Sequence, residues 1–317
     1  MRSLSGVTVE CKETLAWLAD AVRAKTVHAV MLLLGMLLPA YLGCPAQEYP
    51  YFVTYSQEME EPGNLDIEMF NVVGSPQVGS PQVGNTFIGS DIEFEYGLKG
   101  WWTTEFYLDG QATANESTIF TGFRWENRFR PLPREHWINP VLYAEFEDIN
   151  GADKTLREVV GHDGRADLLV PNSVARMDKQ RELELKLILG SNVRGWNISE
   201  NFIGEKNFAG DPWEFGYALG ASRPLRRAAS AHECPFCGEN FQAGVEMYGG
   251  LGTTDSLGLH LTSQYLGPTL NWTAPNGMTV AFSPQFGLND YSIPVLYRFS
   301  VSYEFQQFFS HFRRGEP

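Results

Sequence analysis

Two groups of residues in this 317-residue chain carry side chains suited to chemistry. The first is His232-Glu233-Cys234-Pro235-Phe236-Cys237, within the connection 223–241. Two thiols and an imidazole can ligate a soft metal such as zinc or copper(I), although a fourth ligand is not evident in the sequence. Gly238 and not His follows Cys237, which argues against covalently attached haem. In an oxidising compartment Cys234 and Cys237 would instead form a local disulfide, so metal, disulfide and free thiols all stay open.

The second group is charged. Glu93, Glu95, Glu105, Arg124, Glu126, Arg128, Glu145, Glu147, Glu182, Glu184 and Lys186 recur at every second position of several segments. Asp66, Glu68, Asp91, Asp109, Glu214, Glu246, Arg298 and Glu304 follow the same pattern. Successive side chains leave a strand on opposite faces, so a period of two gathers these residues on one face. If that face lines a lumen, it concentrates cations and repels anions. In a narrow barrel it would instead be a solvated, salt-bridged interior.

Catalytic signatures are missing. Ser256 is preceded by Thr254 where a nucleophile elbow needs Gly, there is no P-loop, and His232-Glu233 continues as Cys-Pro-Phe where a zinc protease needs a second His. His260 and Ser263 lie three apart on one segment, hence on opposite faces, which does not suit a barrel-embedded hydrolase. The connection 149–180, with His162, Asp163, Asp167 and Asp178, is the best place for ligand contact or constriction, because long loops on rigid scaffolds tend to carry function. The tandem Val73-Gly74-Ser75-Pro76-Gln77 and Val78-Gly79-Ser80-Pro81-Gln82 reads as an exposed loop. No cofactor is expected.

The balance of 24 basic against 38 acidic residues, a net charge of −14, argues against a nucleic-acid partner, which requires clustered positive charge. Residues 29–47 carry no charge, and their core, Val30 to Leu38, is almost wholly aliphatic. With Arg23 and Lys25 before it and Cys44-Pro45-Ala46 after it, the run reads as a secretory signal peptide ending at residue 46. The long preface before it points to initiation nearer Val22 or Val27. Leu42-Gly43-Cys44 supports a lipoprotein alternative, weakened by Tyr41 three residues before the Cys.

What must position the charged residues is a series of strands. In Glu182 to Leu189, four leucines alternate with Glu182, Glu184 and Lys186; a helix would scatter those leucines around its circumference. Similar segments run to the C-terminus and give about twelve strands of about ten residues, with no convincing helix after the signal. Glu200 alone falls on an apolar face. A soluble barrel or sandwich buries its apolar face inward, whereas an outer-membrane barrel turns it to lipid. Three features favour the membrane: strands long enough to cross a bilayer at a tilt, tryptophans at strand ends, and connections that alternate between long and short.

The last strand, Leu296 to Phe305, resembles the terminal strand of bacterial outer-membrane barrels. The resemblance implies that Val301, Tyr303 and Phe305 are read by the barrel assembly machinery. Leu183 to Gly190, Trp196-Asn197-Ile198 and Trp213 to Tyr217 look like uncharacterised outer-membrane proteins grouped loosely with the phenol-degradation pathway (MetA-like) family. The expected organisation is a signal peptide (1–46), a periplasmic segment (47–63), an all-β, antiparallel up-and-down transmembrane barrel of about twelve strands (64–305) and a tail (306–317). The expected function is a passive channel or structural component of the outer membrane, with lipid and the assembly machinery as partners, and not an enzyme. The alternatives are a secreted soluble β protein binding an apolar ligand or sugar, and, less favoured, the embedded hydrolase.

Overall fold

The structure, a computed structural model, describes residues 49–75, 85–154, 170–228, 230, 234–259 and 261–309. The signal peptide, His162, Asp163, Asp167, His232, His260 and residues 310–317 lie outside the described residues.

The alternating segments form twelve strands: β1 (Leu65–Gly74), β2 (Phe87–Lys99), β3 (Trp102–Thr113), β4 (Thr118–Phe129), β5 (Asn139–Asn150), β6 (Lys179–Val193), β7 (Trp196–Asn207), β8 (Glu214–Pro224), β9 (Phe241–Thr253), β10 (Gln264–Thr273), β11 (Met278–Gly287) and β12 (Val295–Phe305). Each pairs antiparallel with its sequence neighbours, and β1 pairs with β12, so the sheet closes on itself and leaves no edge. Closure sets Leu65 opposite Phe305 and Gly74 opposite Leu296. A four-residue helix, α1 (Asn172–Ala175), lies in the connection between β5 and β6, and a 3-10 turn, Gly238–Asn240, leads into β9.

Ten residues separate the end of β9 at Thr253 from the start of β10 at Gln264. A tight turn takes the intervening residues: Gly252 adopts a φ of +87°, open to glycine, and bridges back to Leu257.

The apolar face points outward. Ile92, Phe106, Leu142, Leu187, Phe202, Val245, Phe282 and Phe299, drawn from strands all round the barrel, are exposed. A soluble protein does not present so continuous an apolar surface, whereas a barrel seated in lipid requires it. Glu200 stays in register within β7 and faces outward between Leu189 and Leu219, four positions from the strand's start at Trp196.

The end where β1 begins and β12 finishes is called here the proximal end. Trp101, Trp102 and Phe129 stack together there, and Phe236 stacks on Trp272 at 5.4 Å. A further run of ring contacts links Phe305, Phe308 and Phe309 to Tyr96.

Candidate functional site in the barrel interior

The inward positions divide into two territories. Most of the charged ones lie on β2 to β7, interrupted by a small cluster of Val141, Tyr143 and Ile188; Phe70, Val72, Phe87, Ala218, Tyr248, Tyr265, Ala281 and Leu296 form a larger apolar and aromatic cluster. Every charged residue singled out by the period-two pattern, from Glu93 to Lys186, points inward, and all but Glu95 are fully buried.

Burying so many acids demands positive partners, since an uncompensated buried charge is very costly. Two arginines on β4 supply them. Arg124 bridges Asp109 at 3.0 Å, Asp91 at 3.5 Å and Glu145 at 3.7 Å, with its guanidinium 4.2 Å from the Tyr107 ring centroid. Four residues on, Arg128 pairs with Glu95 and Glu105, and with Glu126 at 3.1 Å. Lys186 meets Glu184 at 2.8 Å and lies over the rings of Tyr143 and Tyr55 at 4.2 and 4.5 Å. On the apolar side, Arg298 donates to Tyr248 Oη at 3.1 Å.

The segment expected to precede the barrel in the periplasm is inside it. Residues 49–61 enter at the proximal end, reach the middle of the lumen at Phe52–Tyr55 and return to β1. Phe52 and Val53 belong to the apolar cluster, with the Phe52 ring 5.5 Å from Phe70. The N–H groups of Phe52, Val53 and Thr54 all point at Glu246 on β9; those of Val53 and Thr54 donate to its Oε1 at 2.7 and 2.6 Å. Tyr55 and Asn201 exchange two hydrogen bonds, N–H to Oδ1 at 2.6 Å and Nδ2 to O at 2.9 Å. The Tyr55 hydroxyl donates to Glu126 Oε2 at 3.0 Å, beside a second donor, the Tyr107 hydroxyl, at 2.7 Å. Lower down, Tyr51 donates to Asn197 Oδ1 at 3.0 Å and Asn197 to Gln57 Oε1 at 3.0 Å.

Two glycines make room for this segment. A Cβ on Gly97 would sit 2.1 Å from the carbonyl oxygen of Glu61, and one on Gly220 would sit 2.6 Å from the Tyr51 ring. Both positions accept the inserted chain because they lack a side chain.

Between the inserted segment and the wall, a cavity of about 340 Å3 is lined by Glu58, Glu60, Glu61, Glu68, Glu93, Glu95, Glu105 and Glu304 against a single arginine, Arg128. Burial, and then the charge of Glu304, pushes the Glu60 carboxyl up to about 7. Burial, and then Glu135, likewise raises Glu58. The lining of this chamber is therefore predominantly acidic.

No family model matches the chain, and no curated protein is similar to it. Solved structures are. The COG4313 outer membrane channel from Pseudomonas putida F1 aligns with a TM-score of 0.50 at 9% identity, over 78% of this chain and 97% of that one. The translocator domain of autotransporter NalP from Neisseria meningitidis aligns over 95% of this chain and 99% of its own, at 12% identity and a TM-score of 0.40. LpxR from Salmonella typhimurium aligns over 76% and 99%, at 11% identity and a TM-score of 0.37. The first likeness is one of fold: this chain is a closed all-β barrel of the kind found in outer-membrane proteins.

The remaining candidates are scattered. Cys234 and Cys237 are free, half-buried thiols in a turn closed by the Cys237 N–H on the Cys234 carbonyl at 3.2 Å. A hydrogen bond with Cys237 raises the Cys234 thiol above its ordinary value. Val301 and Phe305 are partly exposed on the outer side of β12, while Tyr303 is covered by Phe305 at 4.7 Å. Sequence reasoning missed Tyr55, the pairing of Asn201 with it, and the role of Glu246 as acceptor for the inserted segment. The one signal that could have found them is that residues 51–55 (YFVTY) read as apolar and aromatic in a stretch assigned to water.

Proposed function

We propose that the chain resides in the bacterial outer membrane and acts as a passive channel for small cations, with residues 49–61 closing the lumen from the periplasmic side. The observation that carries the reading is the pairing of a continuous outward apolar belt with an inward wall of acids. The first alternative, a soluble barrel, would bury the apolar face. The proximal end then faces the periplasm, because the shorter connections, the entry of residues 49–61 into the lumen and the end of β12 all lie there. The chain's resemblance to MetA-like outer-membrane proteins fits this reading.

Among the described residues of the interior no serine or cysteine side chain bonds a histidine, and the reading is of a channel and not of an enzyme. Val301, Tyr303 and Phe305 serve as the signal to the assembly machinery. Cys234 and Cys237 sit at the periplasmic end, where oxidation to a disulfide is favoured. Thiol titration of the exported protein with and without reductant tests that assignment; two reactive thiols before reduction would remove it.

Planar-bilayer recording tests the main proposal. Channels whose reversal potential in a salt gradient follows the cation are expected. Anion-following channels, or none from either the parent or a variant lacking residues 49–61, would overturn it.

A further inference from the structure

Three arginines converge on one turn at the proximal rim. The two-residue connection Arg194-Gly195 joins β6 to β7 with φ of +52° and +82°, the left-handed pair that such a hairpin favours. Asn, Asp or Gly usually fills the first position, so an arginine held there carries backbone strain. Arg227, from the connection after β8, lies over the second: a Cβ on Gly195 would sit 2.4 Å from its Nε. Arg223, at the end of β8, holds its guanidinium carbon 5.3 Å from the ring centroid of Trp196, the next residue along. Trp196 is 41% exposed on the outward face of β7, and Leu225, two residues after Arg223, is 57% exposed. None of the three arginines has an acid within ion-pair distance among the described residues.

We propose that Arg194, Arg223 and Arg227 hold the phosphate headgroup of an anionic phospholipid in the periplasmic leaflet, with Trp196 and Leu225 against its glycerol and acyl chains. The inference rests on the reading that the proximal end faces the periplasm. In a chain of net charge −14 a convergence of bases is the exception. The far-end connections on either side of β8, residues 208–213 and 254–263, carry Asp211 and Asp255 and no Lys or Arg. Of the acids in the connection between β8 and β9, Glu233 lies outside the described residues and Glu239 accepts from the Ser230 N–H at 2.6 Å. Arg226 is engaged there too, donating to Ser230 Oγ at 2.9 Å. Glu200 stands two outward positions deeper along β7 than Trp196. Guanidinium forks meet phosphate oxygens in pairs, and a tryptophan on the outer face of a barrel sits at headgroup depth. A lipid therefore uses both halves of the patch, the charge at the rim and the apolar surface beside it, whereas a free anion would use only the charge.

The test uses the exported protein, purified from outer membranes in a neutral detergent, with native mass spectrometry counting the lipids retained on the folded barrel. Phosphatidylglycerol should be retained in preference to phosphatidylcholine of the same chains, and rising salt should erode the preference. Arg194→Gln, Arg223→Gln and Arg227→Gln combined should weaken phosphatidylglycerol binding by at least about tenfold, since each basic side chain near an anionic lipid surface contributes a factor of about five. The charge-matched combination of Arg176→Gln, Lys179→Gln and Arg181→Gln, at the far end, should bind as the parent does. Equal retention of the two lipids, parent-like binding by the folded proximal variant, an equal loss in the far-end variant, or displacement by inorganic phosphate at the lipid's own concentration would each overturn the site. If the proximal variant fails to fold, Arg227→Gln alone is read by the same criteria, and a folded Arg227→Gln of full affinity overturns it. Heat-modifiability of the parent on SDS gels separates the two readings: a parent without it overturns the membrane barrel and this site together, whereas a heat-modifiable parent indifferent to headgroup overturns the site alone.

Discussion

The backbone N–H of Thr54 donates to Glu246 Oε1 at 2.6 Å, so a carboxylate on the barrel wall holds the apex of a segment that precedes the barrel. Phe52 and Val53 direct their N–H groups at the same carboxylate, an arrangement in which three successive amides cradle one anion. A hydrogen bond to a charged acceptor contributes about 1.5–3 kcal/mol, so the acceptor's removal leaves these amides facing an apolar neighbourhood unpaired. Glu246→Ala is expected to free the apex: single-channel currents should grow in size or frequency, and residues 49–61 should be cleaved faster by protease in the folded barrel. Glu246→Gln, which keeps one acceptor oxygen, should fall between. Unchanged currents and cleavage in Glu246→Ala would mean that this segment does not close the lumen.

The same segment is expected to respond to pH through Glu60. Burial and Glu304 hold its carboxyl at about 7, against an ordinary value of 4.5, so the docked segment keeps a proton that the free segment has lost. Docking is therefore strongest below the ordinary value and weakens as pH rises through about 7. The groups around it agree in sign: Glu61, Glu304 and Glu58 are acids, and Arg128 is the only base lining the chamber. Conductance should rise between pH 5 and pH 8, and Glu60→Gln should flatten that rise. A rise that persists unaltered in Glu60→Gln would assign the response to another group.

How much of this was legible beforehand depends on which force set each feature. Strand identity and facing came through because lipid outside and water or charge inside impose opposite demands on alternate residues, as in Leu183 to Leu189 against Glu182 to Lys186. Glu200 is the exception, tolerated four residues from the end of its strand. The inserted segment was not legible. Its partners are Glu246, Asn201 and Tyr107, residues that lie far along the chain and pair with it only once the barrel has closed. The distribution of the charges was half legible: the acidic excess is plain in sequence, but nothing local says that Arg128 serves Glu95 and Glu105 while Arg124 serves Asp109.

Gly97 tests the fit of the segment against the wall. A methyl group there would collide with backbone, the Glu61 carbonyl at 2.1 Å, and backbone cannot swing aside as a side chain can. The Gly97 carbonyl also accepts from the Gly63 N–H at 2.8 Å, which ties the collision to the start of β1. Gly97→Ala is expected to displace residues 60–63 while leaving the strands paired, because Gly97 lies beside the shift in the β2–β3 register and can absorb a local change. The readout is a folded, heat-modifiable band combined with faster proteolysis of the segment. Parent-like protection of residues 49–61 in Gly97→Ala would show that the segment does not rest on this wall.

Arg128 joins the charged wall to the inserted segment. Its guanidinium pairs with Glu95, Glu105 and Glu126 and lies 5.4 Å from the Tyr55 ring centroid. Removing one partner of a buried ion pair costs about 3–5 kcal/mol, because the charges left behind have neither water nor counterion. Arg128→Met should therefore lower sharply the temperature at which the folded band converts on SDS gels. Arg128→Lys should recover only part, since an ammonium cannot reproduce the fork that meets three carboxylates. Adding Glu105→Gln to Arg128→Met should restore part of the loss, for it removes one of the charges that the arginine served. If Arg128→Met converts at the parent's temperature, the buried carboxylates are held by their tyrosine and strand neighbours alone, and the acidic wall does not depend on its arginines.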